Sequence, residues 1–493
     1  MTFYTESDIR KDIKKSAQAY KSNGGEIVTR FPPEPSGHLH IGHAKAIFQN
    51  FGLAEFYGGR MLLRFDDTNP EKENMDCENS IINDLLTLGI DVSTISHTSD
   101  WFDCIQDKAT ELIQGGFAYA DSTPPEQMSQ DRRDGVESAY RNNSMEDNME
   151  MWRGMINGTY TNSVLRLKLN MKDNNFCMRD PSLFRCVSIP HHRTGDKYKV
   201  YPTYDFACPI VDSMEGVTHV MRSTEFEDRN NMYKLILKLL KLPPLELFTY
   251  GKVEFVDVEM SKRKIKAMIE KDIVAGWDDP RLPTIKGIIN NGLSLNGLKE
   301  FTRTLGFSRN VVEMHWDKIW GINRKIIDKV ATRVSYVDMN HVELNIEDHH
   351  DEVIMIPKFA QNKSLGERKL YRNNRILISK EDFDLCEEGE EITLMNWGNM
   401  YINKDKKSLV SHPEGGLKDT SKKLLWLSTD HCKKLEIYNY IIPIGDVPFT
   451  TEIILVDSYY DQIVEQDFVQ ILKKSYYKKA NNNIAVEINT GRK

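Results

Sequence analysis

Long apolar runs are missing from this sequence. No window approaches the roughly 18 consecutive apolar residues of a membrane span, so no membrane partner is expected. The amino end reads Met1-Thr2-Phe3-Tyr4-Thr5-Glu6-Ser7-Asp8, without a basic segment followed by an apolar one, and a secretory leader is not expected either. Cysteine is sparse: Cys77, Cys104, Cys177, Cys186, Cys208, Cys386 and Cys432 are scattered and contain no Cys-x-x-Cys pair. That pattern argues against a disulfide framework and against a zinc site, and no metal ligand set is assigned. The expected compartment is the reducing cytoplasm. Internal repeats and low-complexity tracts are also lacking.

What is present is the composition of an ordinary globular protein, 40% hydrophobic and 28% charged over 493 residues. That length exceeds one core and suggests about three or four domains. A formal net charge of −8 does not exclude a nucleic-acid partner, because binding depends on local patches. Lysines cluster in the last third (Lys404 with Lys406-Lys407, Lys422-Lys423, Lys433-Lys434, Lys473-Lys474, Lys478-Lys479), interleaved with Trp426, Tyr476 and Tyr477. Each cluster alone reads as a solvated face; together they read equally as a phosphate-tracking surface.

The most informative run is Arg30 to His43, Arg-Phe-Pro-Pro-Glu-Pro-Ser-Gly-His-Leu-His-Ile-Gly-His. It follows a short apolar strand (Glu26 to Thr29) and opens a helix (Ala44 to Tyr57). Two imidazoles, His40 and His43, therefore sit where first-turn N–H groups and the helix dipole favour an anion. A second strand, Arg60 to Phe65, ends at Asp66-Asp67-Thr68-Asn69-Pro70, and a helix from about Asp76 to Leu88 follows. Strand, helix, strand, helix predicts a parallel α/β unit with ligands at the carboxyl ends of the strands, where Glu34 and Asp66 lie.

The polar stretch from about Asp121 to Glu150 interrupts this rhythm and leads into Val164 to Asn170, read as a half-exposed strand with Arg166 and Lys168 on one face. Parallel α/β structure is expected to resume near Tyr201 to Ala207, followed by a helix over Cys208 to Met214. From Lys271 to Lys329 the spacing is helical. Beyond about Ser335, Arg375 to Ile378, Glu391 to Leu394, Leu424 to Leu427 and Ile453 to Val456 read as strands of small β-barrels or sandwiches.

The ordered motifs resemble the class I aminoacyl-tRNA synthetases of the glutamyl/glutaminyl group, in their eukaryotic and archaeal form. Carrying the resemblance are Pro-Pro-Glu-Pro-Ser-Gly before His40-Ile41-Gly42-His43, Phe65 to Pro70, Met178 to Pro181, Tyr201 to Ala207, Met260-Ser261-Lys262-Arg263, Gly276 to Arg281 and Leu394 to Asn399. The resemblance implies an α/β fold with a Rossmann-type parallel-sheet catalytic domain in two halves (1–105 and 201–264). An acceptor-stem-binding insertion (106–200) would split them, and a helical connector (265–334) and C-terminal β-barrels that read the anticodon (335–493) would follow. A glutathione-transferase-like amino-terminal extension, common in eukaryotic members, is expected to be missing.

The implied chemistry is ATP-dependent formation of an aminoacyl-adenylate, then transfer to the 3′-terminal ribose of tRNA, with adenylate formation waiting for tRNA. ATP is implied as cosubstrate with Mg²⁺, and no zinc. His40, His43 and Lys262 carry over as catalytic residues, and His40, Gly42, His43, Met260, Ser261 and Lys262 as the ATP site. The loop departs from the family's Lys-Met-Ser-Lys-Ser, with Glu259 at the first position and Arg263 at the last. For the amino acid, Arg30, Glu34, Ser36, Asp66, Tyr204, Cys208 and Arg222 align with pocket positions. Asp66 suits an ammonium, Arg30 can fork onto a carboxylate, and Cys208 has packing as its alternative role. Arg222 stands where glutamyl enzymes carry Arg; its alternative is a surface pair with Glu225 or Glu227. With Ser36 and Trp397-Gly398-Asn399, Arg222 points to L-glutamate and tRNA(Glu) as substrates. Glutaminyl-tRNA synthetase and a non-catalytic tRNA-binding paralogue are the alternatives. Oligomeric state, monomer or otherwise, is left open.

Overall fold

A computed structural model describes residues 2–90, 93–256, 258, 260–439, 450–458, 469–472, 476–477 and 485–488. The described chain forms two compact units, Met1–Val256 with Lys299–His315, and Asp257–Leu298 with Trp316–Lys493.

In the first unit the chain runs through α1 (Lys11–Ser22), β1 (Val28–Phe31), α2 (Ile41–Phe56), β2 (Arg60–Phe65), α3 (Met75–Thr87), β3 (Ile95–His97) and α4 (Phe102–Gln114). β1, β2 and β3 pair in parallel, with Arg30 opposite Leu62 and Phe65 opposite His97. β1 and most of β2 are buried, so they do not show a one-face alternation, whereas β3 is partly exposed. The sheet continues after a large excursion, through α7 (Tyr204–Met214), β8 (His219–Ser223), α8 (Asn230–Leu239) and β9 (Glu246–Tyr250). β8 and β9 pair in parallel. Thr218 donates its N–H to the Val28 carbonyl, and Arg30 reaches the Met221 carbonyl, so β8 lies beside β1 and runs the same way. β10 (Val253–Phe255) and β11 (Val312–Met314) add a short parallel pair.

The excursion is a sheet of its own. β4 (Ala118–Asp121), β5 (Val164–Leu167), β6 (Ser182–Cys186) and β7 (Val200–Pro202) pair antiparallel, with α5 (Pro125–Asp134) and α6 (Met145–Ile156) between β4 and β5. Two sequence expectations are corrected here. β7, at Tyr201, closes the antiparallel sheet; parallel structure resumes only at β8. Arg166 does not share a solvent face with Lys168: it is fully buried, paired with Asp121 at 2.7 Å, and donates to the Asp180 carbonyl. Alternation in sequence cannot separate a solvated cation from one neutralised by a partner 45 residues away. Trp152, whose Nε1–H donates to Thr110 Oγ1, packs edge-on against Phe184 in the core shared by α4, α6, α7, α8 and this sheet.

In the second unit α9 (Lys262–Glu270), α10 (Ile285–Asn290), α11 (Leu295–Leu305, which leads into the first unit's Lys299–His315) and α12 (Asp317–Ile327) precede the β-rich part. There, a curled eight-stranded sheet wraps a core of Leu344, Ile376, Ile392, Met400, Leu409 and Trp426. A five-stranded sheet includes Thr332–Asp338 and Thr450–Asp457. The Trp397-Gly398-Asn399 motif makes a hairpin turn: Leu394 faces Gly398 across the antiparallel pair, and Gly398 has φ +147°, which glycine adopts without strain. Trp426 is core, its Nε1–H on the Met395 carbonyl, so it is no exposed stacking platform. Lys404 and Lys422 spend their ammonium groups on the Cys386 carbonyl and on Glu390. Lys473, Lys474, Lys478 and Lys479 and the side chains of Tyr476 and Tyr477 lie outside the described residues.

His219 at the start of β8 gives the first unit a pH signature. It is fully buried, its ring within hydrogen-bond distance of Ser16 Oγ and Thr218 Oγ1 and stacked on Phe248, and burial takes it down to about 4. A histidine depressed in the folded state contributes stability that is whole above its unfolded value of about 6.5 and is lost as pH falls toward 4. Urea unfolding at pH 7 and pH 5 should therefore differ by about 2 kcal/mol from this group, and His219→Asn should remove that part of the difference.

Candidate active site

α2 begins with the histidine pair. His40 is its N-cap in extended geometry; His40 Nδ1 accepts the Gly42 N–H at 3.1 Å, and His43 Nδ1 accepts the His40 N–H at 3.1 Å. The rings lie 3.9 Å apart between centroids. Because both Nδ1 atoms accept backbone protons, the neutral tautomer carries its proton on Nε2 in each ring. The pair thus caps the helix with the Nδ1 edge of each ring. Lys45, two residues on, is buried, donates to the Gly251 carbonyl at 2.5 Å, and is pulled down to about 8 by burial.

Just past β1, Glu34 is exposed and accepts from Ser36 Oγ at 3.0 Å. Just past β2, Asp66 donates its N–H to the Pro33 carbonyl, which brings the two strand-end loops together. Burial, with Asp67 and Glu34 nearby and against the pull of Arg64, pushes the Asp66 carboxyl up to about 7.

Arg30 is turned inward. Its Nε faces both Asp212 oxygens at 3.0 and 3.1 Å, so the fork that the sequence reading gives to a ligand rests on an internal carboxylate. Arg64 reaches the same Asp212 at 2.5 Å and Glu215 at 2.9 Å, and the Tyr233 hydroxyl donates to Asp212 at 2.7 Å. Cys208 sits among them, 3.8 Å from each guanidinium, and burial raises its thiol. Burial alone would raise Asp212, but Arg30 and Arg64 hold it well below the usual carboxylate range.

Arg222, in β8, is 4% exposed. Its guanidinium carbon lies 5.9, 4.9 and 5.4 Å from the ring centroids of Tyr204, Phe226 and Tyr233. Among the described residues its hydrogen-bond partner is the Asn230 amide oxygen at 3.0 Å, and its buried Nε has none. The carboxylates that a surface-pair reading would use are engaged elsewhere, Glu225 with Lys252 at 3.0 Å and Glu227 with Arg309. Among the described residues Arg222 is therefore a buried cation in an aromatic cage without a carboxylate partner. Burying a guanidinium this way is costly unless an anion joins it.

The structure thus gathers Arg30, Cys208, Tyr204 and Arg222 around the β1–β8 ends, and Glu34, Ser36 and Asp66 on the adjoining loops. Met260, Ser261 and Lys262 belong to the second unit, where Ser261 is the N-cap of α9 and Lys262 its first residue; Glu259 lies outside the described residues. Sequence reading missed Asp212, Arg64 and Tyr233. Its one available signal was a lone Asp closing the apolar run Ala207-Cys208-Pro209-Ile210-Val211.

Glu73, His191 and His192 bring three potential metal-ligand atoms within 4.8 Å of one another. His191 has both ring nitrogens committed, Nδ1 accepting the Arg193 and Thr194 N–H groups and Nε2 donating to the Asp67 carbonyl at 2.8 Å. Only two of the three residues could then ligate, which is short of a tetrahedral protein site.

Residues 26–329 match the family model for tRNA synthetases class I (E and Q), catalytic domain, and residues 331–414 match its anti-codon binding domain. A cytoplasmic glutamate–tRNA ligase of Saccharomyces cerevisiae is 43% identical over 415 residues, 82% of this chain and 58% of that protein. A probable cytoplasmic glutamate–tRNA ligase of Encephalitozoon cuniculi is 43% identical over 424 residues (84% and 66%). A bifunctional glutamate/proline–tRNA ligase of Mus musculus is 43% identical over 404 residues (81% and 27%). The chain spans less than two thirds of the length of each of these relatives.

The Asp212 cluster has a direct test. Asp212→Asn leaves two buried guanidinium groups without their shared anion and should cost about 3–5 kcal/mol in chemical unfolding, whereas substituting exposed Glu26, paired with Arg60 at the surface, should change stability by under about 1 kcal/mol.

Proposed function

The chain belongs to the class I tRNA synthetases of the E and Q group, and we propose that it is a glutamate–tRNA ligase, joining L-glutamate to tRNA(Glu) through a glutamyl-adenylate made from ATP. The observation that carries the choice of amino acid is Arg222, buried among Tyr204, Phe226 and Tyr233 with no carboxylate partner. A glutamate side chain would supply the missing anion; glutamine would leave the guanidinium uncompensated, a difference of about 3–5 kcal/mol.

In this reading Asp66 takes the substrate ammonium, with Glu34 and Ser36 beside it, and the Tyr204 ring covers Arg222. Arg30 and Cys208 support the pocket from behind through Asp212. The α-carboxylate attacks the α-phosphate of ATP and pyrophosphate leaves; a 3′-terminal ribose hydroxyl of tRNA then attacks the adenylate carbonyl and AMP leaves. Little acid–base chemistry is needed at phosphorus, so positioning and charge stabilisation dominate. The Nε2–H groups of His40 and His43 are suited to phosphate oxygens, next to the α2 amino end and Gly42. One preorganised donor of this kind is worth about 3–4 kcal/mol. Met260, Ser261 and Lys262 are assigned to ATP, with Lys262 on the departing pyrophosphate, by their motif. Mg²⁺ arrives with ATP as part of the substrate. A cytoplasmic location belongs to the same proposal; no described helix is long and apolar enough to cross a membrane.

Charging assays with radiolabelled glutamate and glutamine test the reading. Glutamate should be preferred, and glutamine preference would refute it. Arg222→Cys should lower kcat/KM for glutamate by about a hundred- to several-thousand-fold and relax selectivity; unaltered glutamate kinetics would remove Arg222 from the pocket. Because Asp66 must be ionised to hold an ammonium and burial pushes it up to about 7, kcat/KM for glutamate should rise with pH through about 7, and Asp66→Asn should abolish that rise.

A further inference from the structure

The loop between β6 and β7 belongs to the antiparallel excursion, yet one buried side chain at its tip reaches back to the parallel sheet. There His191, 2% exposed, meets the loop that follows β2. The Arg193 and Thr194 N–H groups donate to His191 Nδ1 at 3.2 Å each. The ring proton is therefore on Nε2, which donates to the Asp67 carbonyl at 2.8 Å, a contact across 124 positions of sequence.

That carbonyl is one of few handles on the Asp66-Asp67 pair. The Asp66 N–H is held by the Pro33 carbonyl at 3.0 Å, and the Asp67 carboxylate accepts from Ser99 N–H and Oγ at 2.8 and 2.5 Å. The same tip adds Arg193, which donates to Ser99 Oγ at 2.5 Å and to Asp100 at 3.0 Å. Next to it, His192 meets Glu78 of α3 at 2.6 Å, and Glu78 also meets His97 at 3.0 Å. The tip thus grips the β2 loop, β3 and α3 together. Asp66 precedes the gripped carbonyl by a single residue, and its carboxylate takes a hydrogen bond from the side chain of Thr68, the residue after that carbonyl, so where the carbonyl is held bears on where the carboxylate points. A buried carbonyl that loses its donor does not stay in place at no cost.

We propose that His191 is a positioning residue for the amino-acid site, using Nδ1 to shape its own turn and Nε2–H to hold the Asp67 carbonyl, and thereby the Asp66 carboxylate, in register for the substrate ammonium. The inference rests on the reading that Asp66 receives that ammonium.

The two ring nitrogens allow the roles to be separated. In His191→Asn the side-chain oxygen stands near the place of Nδ1 and keeps the turn while the link to Asp67 is lost. In His191→Gln the amide N–H reaches toward the place of Nε2 and keeps the link. Full-length wild type, both variants and Asp66→Asn are compared in steady-state aminoacylation, measuring KM and kcat separately for L-glutamate, ATP and a glutamate-accepting tRNA preparation, with thermal unfolding of each protein. The expected result is a KM for glutamate raised about ten- to a hundredfold in His191→Asn, with KM for ATP and tRNA within about twofold of wild type, and substantial recovery in His191→Gln. A raised KM in Asp66→Asn with wild-type behaviour in His191→Asn overturns the positioning role and leaves the Asp66 reading intact. An unchanged KM in Asp66→Asn overturns that reading, and the positioning proposal with it. Equal loss in both His191 variants for all three substrates, tracking a lowered Tm, means that His191 only holds the fold, and also overturns the proposal.

Discussion

One buried carboxylate organises the first unit. Asp212 on α7 is the shared acceptor of Arg30 from β1, Arg64 from β2 and Tyr233 from α8, so two neighbouring strands and two helices meet at its oxygens. Neither arginine could be buried in a parallel sheet without such an anion, and Asp212 could not stay ionised there without them. Because Arg30 also reaches the Met221 carbonyl, the cluster sets where the next residue, Arg222, stands. Arg222, which among the described residues has no carboxylate partner, is thus placed by two cations that share one.

This arrangement separates charges that are neutralised inside the fold from one that, in the proposed reading, meets a ligand. Arg30, Arg64 and Arg166 are all buried and all paired. Arg222, also buried, has among the described residues an amide oxygen and three aromatic rings but no carboxylate. Cation–π contacts lower the cost of holding it but do not cancel the charge. That difference from the other three is what the proposed role in recognition rests on.

How much of this was readable in the chain depends on whether the determining contacts are local. β2 was legible residue for residue and α2 nearly so, because apolar spacing and helix-start chemistry are encoded within a few positions. The glycine in Trp397-Gly398-Asn399 is explained by a hairpin it closes. Asp212 was not legible, since its arginine partners are 182 and 148 residues away and a lone Asp in an apolar helix has no local signature of what it meets. Arg166 failed for the same reason. Arg222 entered only through family resemblance; that it is caged in aromatic rings and lacks an anion required the fold.

The two histidines at the start of α2 carry a consequence for anyone interpreting variants there. Each ring is also a piece of backbone scaffolding, since its Nδ1 edge accepts an N–H at the amino end of the helix. Removing a ring therefore erases a cap together with the proposed phosphate donor, and a change in activity would not separate the two. Asparagine, which reproduces the Nδ1 acceptor and little else, is the substitution that pulls the two apart.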